Sequence, residues 1–250
     1  MFRRDADESF ETFRRLPVLH GLGDDAEDTV DTVVLDVDGT LVDTVYQHTM
    51  AWASAFDSVE VVVPLHRVHR AIGMGGDRLV AEVAGAEVDE KYGDAVREHH
   101  DRLFDEMIAD VHPLPGAAAL LDELRRRGLR IVLASSGLDE QTERLMELVG
   151  GVGKADGAAS SGEVEKTKPA PDLVESAVAK VGGSRVAMVG DAVWDVAAAT
   201  KAGHYVVAVL TGGFSESELR EAGADAVFAT LEELVAGLDG TPLRGTSGPR

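Results

Sequence analysis

Val33-Val34-Leu35-Asp36-Val37-Asp38-Gly39-Thr40-Leu41 is a short apolar run that ends in two aspartates one residue apart, followed by Gly-Thr. Its β-branched residues suit a buried strand of a parallel sheet. Side chains at i and i+2 of a strand share a face. Asp36 and Asp38 are therefore expected together where the strand ends, with Gly39 letting the chain turn. In an open α/β sheet that edge is where ligands bind. Two carboxylates there suit a hard cation, or a nucleophile beside an acid/base. A solvated aspartate turn explains the same residues, and the D-x-D pattern alone does not choose between these readings.

Outward from this run, strand and helix patterns alternate. Strand-like segments fall at 30–37, 129–134, 155–160, 185–189, 204–210 and 226–228. Helical patterns lie between them at 116–127, 139–149, 170–181, 194–202 and 215–222. Leu120, Leu121 and Leu124 have the spacing of a buried helix face, and Gly128 follows as a C-cap. This alternation predicts an α/β fold with a Rossmann-like parallel sheet flanked by helices. One segment, 44–112, breaks the rhythm: it carries helical patterns at 46–56, 78–84 and 92–107, and it returns through Pro113-Leu114-Pro115-Gly116. It reads as a small α-helical cap domain inserted after the first strand, placed to cover Asp36. The expected organisation is an N-terminal extension at 1–28, an α/β core at 29–43 and 113–238, the cap at 44–112, and a flexible tail at 239–250.

Composition narrows the function. The 250 residues carry a formal net charge of −21, whose field opposes non-specific binding to nucleic acid or anionic membranes. It does not oppose a small phosphorylated substrate, which responds to the local field of its site. With no cysteine, disulfides, thiolate catalysis and zinc–sulfur sites are excluded. No run of 18 apolar residues is present and the first 31 residues lack a signal-peptide core. The expectation is a cytoplasmic protein, monomer or homodimer.

Three more motifs follow at later strand ends. Ile131-Val132-Leu133-Ala134 runs into Ser135-Ser136-Gly137, where a hydroxyl and free N–H groups suit phosphate oxygens and also suit an ordinary turn. Lys166-Thr167-Lys168-Pro169-Ala170-Pro171 puts Lys168 at a loop–helix junction, able to reach inward or to lie on the surface. Val186-Ala187-Met188-Val189 ends in Gly190-Asp191, with Asp195 four residues on, a residue that also suits the N-cap or the start of a helix.

In this order, Asp36-Val37-Asp38-Gly39-Thr40, Ser135, Lys168-Pro169, and Gly190-Asp191 with Asp195 resemble the four signature motifs of the haloacid dehalogenase-like superfamily. The inserted helical segment is similar to that of the subgroup holding phosphoglycolate phosphatase and β-phosphoglucomutase. The resemblance implies roles. Asp36 would attack phosphorus and become an aspartyl-phosphate. Asp38 would protonate the leaving oxygen and later activate water. Ser135, favoured over Ser136 as the first hydroxyl after the strand, would hold the phosphoryl group with Lys168. Mg²⁺ would sit on Asp36, Asp191 and the backbone carbonyl of Asp38, with Asp195 supporting the metal or orienting Lys168. Gly39, Thr40, Ser136 and Gly137 would line the phosphate pocket. Dehalogenases of this fold lack an acid where Asp38 stands, so phosphate-ester chemistry is implied. Ala192 departs from the family, many members of which carry Ser or Thr after that aspartate.

In the cap segment, Arg70-Ala71-Ile72-Gly73-Met74-Gly75-Gly76-Asp77-Arg78 is similar to the glycine-containing loop that faces the site in relatives. Gly75, Gly76 and Arg78 (or Arg70) are candidates for substrate contact; a helix–helix turn with solvated arginines accounts for them equally. A glycine at 76, close to where mutases place an arginine, tilts the reading to a phosphatase of a phosphoglycolate- or sugar-phosphate-like metabolite, with a phosphosugar mutase as alternative and a non-catalytic binding module as the rival class. His99-His100 reads as a solvated helix face, and Trp52, Phe56, Phe104 and Met107 as cap core.

Overall fold

The computed structural model describes residues 29–245. The expected N-terminal extension and the last residues of the tail lie outside that range. Six parallel strands form one sheet in the order β3-β2-β1-β4-β5-β6, with β1 Thr32–Leu35, β2 Arg130–Ala134, β3 Gly157–Ala159, β4 Val186–Gly190, β5 Tyr205–Val209 and β6 Ala226–Phe228. β1 lies at the centre: Leu35 is in register with Leu133 on one side and Val189 on the other. The chain goes outward from β1 through β2 to β3, then crosses back to β4. The carboxyl ends of β1 and β4 thus flank the point where strand order reverses, and loops diverge there to leave a crevice.

Alternation along β1 builds both faces of the core. Val33 and Leu35 pack with Leu120, Leu121 and Leu124 of α5 (Ala117–Arg126) and with Leu231 and Leu234 of α10 (Leu231–Gly237). Val34 points the other way, against Val174 and Ala177 of α7 (Asp172–Val181) and Val196 of α8 (Val193–Lys201). The remaining core helices are α6 (Asp139–Leu148) and α9 (Glu216–Ala222).

Between β1 and α5 the chain is helical: α1 Val45–Ser58, α2 Leu65–Ala71, α3 Gly76–Ala84 and α4 Ala86–Met107. These pack on their own apolar cluster, including Trp52, Phe56, Val68, Leu79, Val80 and Val96. The sequence pattern did not reveal α2, a seven-residue helix with only two buried positions.

One expectation fails at the other end. Residues 241–245 are not a loose tail. Pro242 and Leu243 are buried, Leu243 joins the same cluster as β1, and Val30 N–H donates to the Pro242 carbonyl at 3.1 Å. A single leucine among glycines, prolines and threonines has no periodicity to betray it, yet burying it removes apolar area from water like any other core residue.

Candidate active site

Asp36 lies one residue beyond β1, and its N–H still donates to the Val189 carbonyl. Its carboxylate is buried and touches the ammonium of Lys168. Lys168 is wholly buried, and its Nζ also lies 2.8 Å from Asp195 Oδ1. Thr40, on the turn opened by Gly39, donates to Asp191 Oδ1 at 2.8 Å and lies 3.2 Å from Asp36 Oδ2. Gly39 has φ +78°, and a Cβ there would stand 2.3 Å from Asp191 Oδ2, so only glycine fits. Asp195 Oδ2 accepts from the Ala192 N–H at the start of α8, the helix-start role considered for it, while its other oxygen faces Lys168.

Three buried carboxylates around one cation set the local charge. Burial pushes the Asp36 carboxyl up to about 7, with Asp195 and Asp38 adding repulsion and Lys168 opposing. Asp191 is raised well above the usual carboxylate range by burial and by Asp36 and Asp195. Burial would lower Lys168, but Asp195 and Asp36 outweigh it and keep the ammonium above its ordinary value. Oxygens of Asp36, Asp191 and Asp195 all lie within 4.8 Å of one another. A set of hard oxygen donors with surplus negative charge fits a hard divalent cation.

Asp38 faces a different set of groups. Thr44 donates to its Oδ1 at 2.9 Å, His48 Nε2 lies 3.1 Å from the same oxygen, and Ser135 Oγ lies 3.4 Å from Oδ2. Burial would raise this carboxyl, but His48 and Thr44 bring it below the usual value. Behind His48, its Nδ1 is 3.0 Å from His100 Nε2, and His100 Nδ1 is 2.9 Å from Asp101 Oδ1. His100 also stacks on Trp52, with ring centroids 3.9 Å apart. The expectation of a solvated face at His100 is therefore overturned: it is buried, with its imidazole pushed down to about 4 by burial and by His48. Val96, His100 and Phe104 recur every four residues on the buried face of α4, the spacing that could have revealed it. Sequence reasoning missed His48 and Thr44 altogether.

Ser136 and Gly137 line the cleft above these groups; Gly137 N–H donates to Ser135 Oγ at 3.0 Å, and Ser136 Oγ reaches the Gly73 carbonyl at 3.4 Å. Of the loop candidates, Gly76 lines the cleft, and Gly75 packs against Thr167, whose Oγ1 would lie 2.1 Å from a Cβ at 75. Arg78 does not line it. The arginine that does is Arg97, which sequence reasoning passed over. The helical segment is held to the core by Asp77 against Thr167, by Arg70 against Glu218, and by Trp194 Nε1 donating to the Arg70 carbonyl at 3.1 Å. The cleft between them measures about 280 Å³.

Residues 30–203 match the family model of haloacid dehalogenase-like hydrolases. The chain belongs to that family. It is 30% identical over 204 residues to a phosphoglycolate phosphatase of Caulobacter vibrioides, an alignment spanning 78% of this chain and 85% of the relative. It is 25% identical to a β-phosphoglucomutase of Bacillus subtilis, over 72% of this chain and 83% of that one. Among solved structures, a hydrolase from Pseudomonas syringae superposes with a TM-score of 0.79 at 30% identity, covering 83% of this chain and 97% of that chain. The family match and the phosphatase relatives make this chain an enzyme, a haloacid dehalogenase-like hydrolase of the phosphatase class. Among the described residues no helix is long and apolar enough to cross a membrane.

Proposed function

We propose that the protein is a Mg²⁺-dependent phosphatase of a small phosphorylated metabolite, working through an aspartyl-phosphate on Asp36, with the α/β body as its catalytic domain and the helical segment 44–112 as its cap. The observation that carries this reading is the sharing of one buried ammonium, Lys168, by Asp36 and Asp195, beside an Asp38 that is wired separately to Thr44 and His48. Two carboxylates in one cleft with different partners can take different roles.

Asp36, held against Lys168, is the nucleophile: it attacks phosphorus and displaces the alcohol. Asp38, ionised in the free enzyme, takes up a proton as the anionic phosphate comes to lie beside it, gives that proton to the leaving oxygen, and afterwards takes one from the water that cleaves the acyl phosphate. Ser135, Lys168 and the N–H groups around Gly137 hold the phosphoryl oxygens and offset charge that builds as the bond breaks. Asp195 keeps Lys168 in place from behind. Asp36, Asp191 and the Asp38 carbonyl would hold Mg²⁺, which when bound polarises the phosphoryl group and neutralises part of its charge. The clasp of the helical segment on the core excludes bulk water from the cleft.

The test is phosphate release from a panel of sugar phosphates, phosphoglycolate and nucleotides, with Mg²⁺ and with EDTA, in wild type and Asp36→Asn. Metal-dependent release lost in Asp36→Asn is the expected result. Release that survives the substitution refutes the nucleophile. An isomerised product that retains its phosphate would instead favour mutase chemistry.

A further inference from the structure

The charge of the cleft beyond the phosphate end distinguishes among substrates. Apart from Asp36 and Asp38, the acids that line it are Asp77, Asp101 and Glu165, facing one guanidinium, that of Arg97. Arg97 is not free to receive an anion. Its Nη1 donates to Asp89 Oδ1 at 2.7 Å and to the Gly76 carbonyl at 3.1 Å, and its Nη2 to Asp94 Oδ1 at 3.0 Å. The other arginines of the cap loop are engaged too: Arg70 pairs with Glu218, and Arg78, outside the cleft wall, stands 3.9 Å from Asp77 Oδ2. The other lining residues include the apolar Trp52, Ile72, Met74 and Leu79 and the hydroxyls of Ser161 and Thr167, with the rings of His48 and His100 beside Asp38.

A substrate carrying a carboxylate or second phosphate on its leaving group would bring that charge toward Glu165, toward Asp101, whose one charged-type partner is the His100 ring, and toward Asp77, which is held by Thr167 and Arg78, while the guanidinium of Arg97 is already engaged. Like charges set face to face in a partly desolvated site reject a ligand more strongly than missing contacts do. From this lining, we propose that the enzyme selects phosphomonoesters whose leaving group is uncharged and hydroxyl-bearing, or cationic, and discriminates against those with a second anionic group. This rests on the phosphatase reading above and sharpens it, because it sets the chain apart from what the names of its phosphoglycolate phosphatase relatives imply for them.

The test compares three esters of similar size: 2-hydroxyethyl phosphate (neutral), O-phosphoethanolamine (cationic) and 2-phosphoglycolate (anionic). The expected result is a kcat/KM for the first two at least about tenfold above that for the third, with Glu165→Lys narrowing the gap about tenfold by raising the anionic ester selectively. Calorimetric titration of the same three into Asp36→Asn with Mg²⁺ reads the preference without turnover. Phosphoglycolate turned over or bound as well as the other two overturns the proposal. A wild type that hydrolyses none of the three, nor p-nitrophenyl phosphate, while Asp36→Asn still ranks them by charge, sinks the phosphatase reading and leaves the charge selection standing. Absence of both turnover and binding removes both.

Discussion

Replacing Asp36 by Asn should disable the enzyme and strengthen its metal-free fold. Asp36, Asp191 and Asp195 crowd one buried ammonium, and folding must hold the excess negative charge together. Asp36 shows the strain: its carboxyl stands at about 7 in the folded chain against an ordinary 3.8. At 1.36 kcal/mol per unit, ionised Asp36 weighs on the folded state by roughly 4 kcal/mol at most. Asparagine keeps the shape but loses part of the attraction to Lys168, so a net gain of about 2 kcal/mol is expected, or roughly 4–8 °C in melting temperature for a chain of this size. The sign follows from linkage. A carboxyl raised on folding binds its proton more tightly in the native state; its stabilising contribution is present below pH 4 and is lost as pH rises through 7. The variant has no such group, so the gap between variant and wild type opens between pH 4 and 7 and is full above that. Differential scanning calorimetry in EDTA at pH 5 and pH 8 measures it. A gap of equal size at both pH values, or a variant that melts below wild type at pH 8, would refute the reasoning. Adding Mg²⁺ should recover the wild type more than the variant, since anything that binds only the native state stabilises it by mass action.

Three other outcomes follow from the same geometry. Lys168→Met strands the buried carboxylates without a cation and should cost about 3–5 kcal/mol, read by thermal melting, with part of the loss regained in the Lys168→Met/Asp36→Asn double variant. Leu243→Ala should destabilise by about 2–5 kcal/mol while kcat stays as it was; an unchanged melting temperature would mean that this segment is not part of the core. His100→Phe keeps a ring against Trp52 but removes the hydrogen bond to His48, and should lower kcat about tenfold with little change in KM; an unaltered kcat would exclude a part for that chain in orienting Asp38.

Much of the candidate site was legible because three of its residues sit at the ends of apolar runs: Asp36 after β1, Ser135 after β2, Asp191 after β4. Strand periodicity and turn chemistry are local properties, so sequence carries them. The tie between His48 and Asp38 is not local in that sense. It depends on how α1 leaves the Gly39 turn, and nothing within α1 marks position 48 as facing a carboxylate. His100 comes from 52 residues further along, on a different helix. The loop at 70–78, expected to face the site, puts Gly73, Met74, Gly76 and Asp77 on the cleft, but which of its side chains enter was decided by the packing of α3 on α4, which brings in Arg97 instead of Arg78. Cleft-facing positions on an inserted helical segment are set by such tertiary contacts, and that is why they resist reading from one sequence.

The bond between Val30 and Pro242 brings the two ends of the described residues side by side at the amino edge of the sheet, while the candidate site lies at the carboxyl edge. The adjacency makes the protein a natural subject for circular permutation. A version of residues 29–245 with a short linker from Gly245 to Thr29, and new ends opened between the exposed Val152 and Gly153, should preserve the strand order and the placement of every residue of the candidate site.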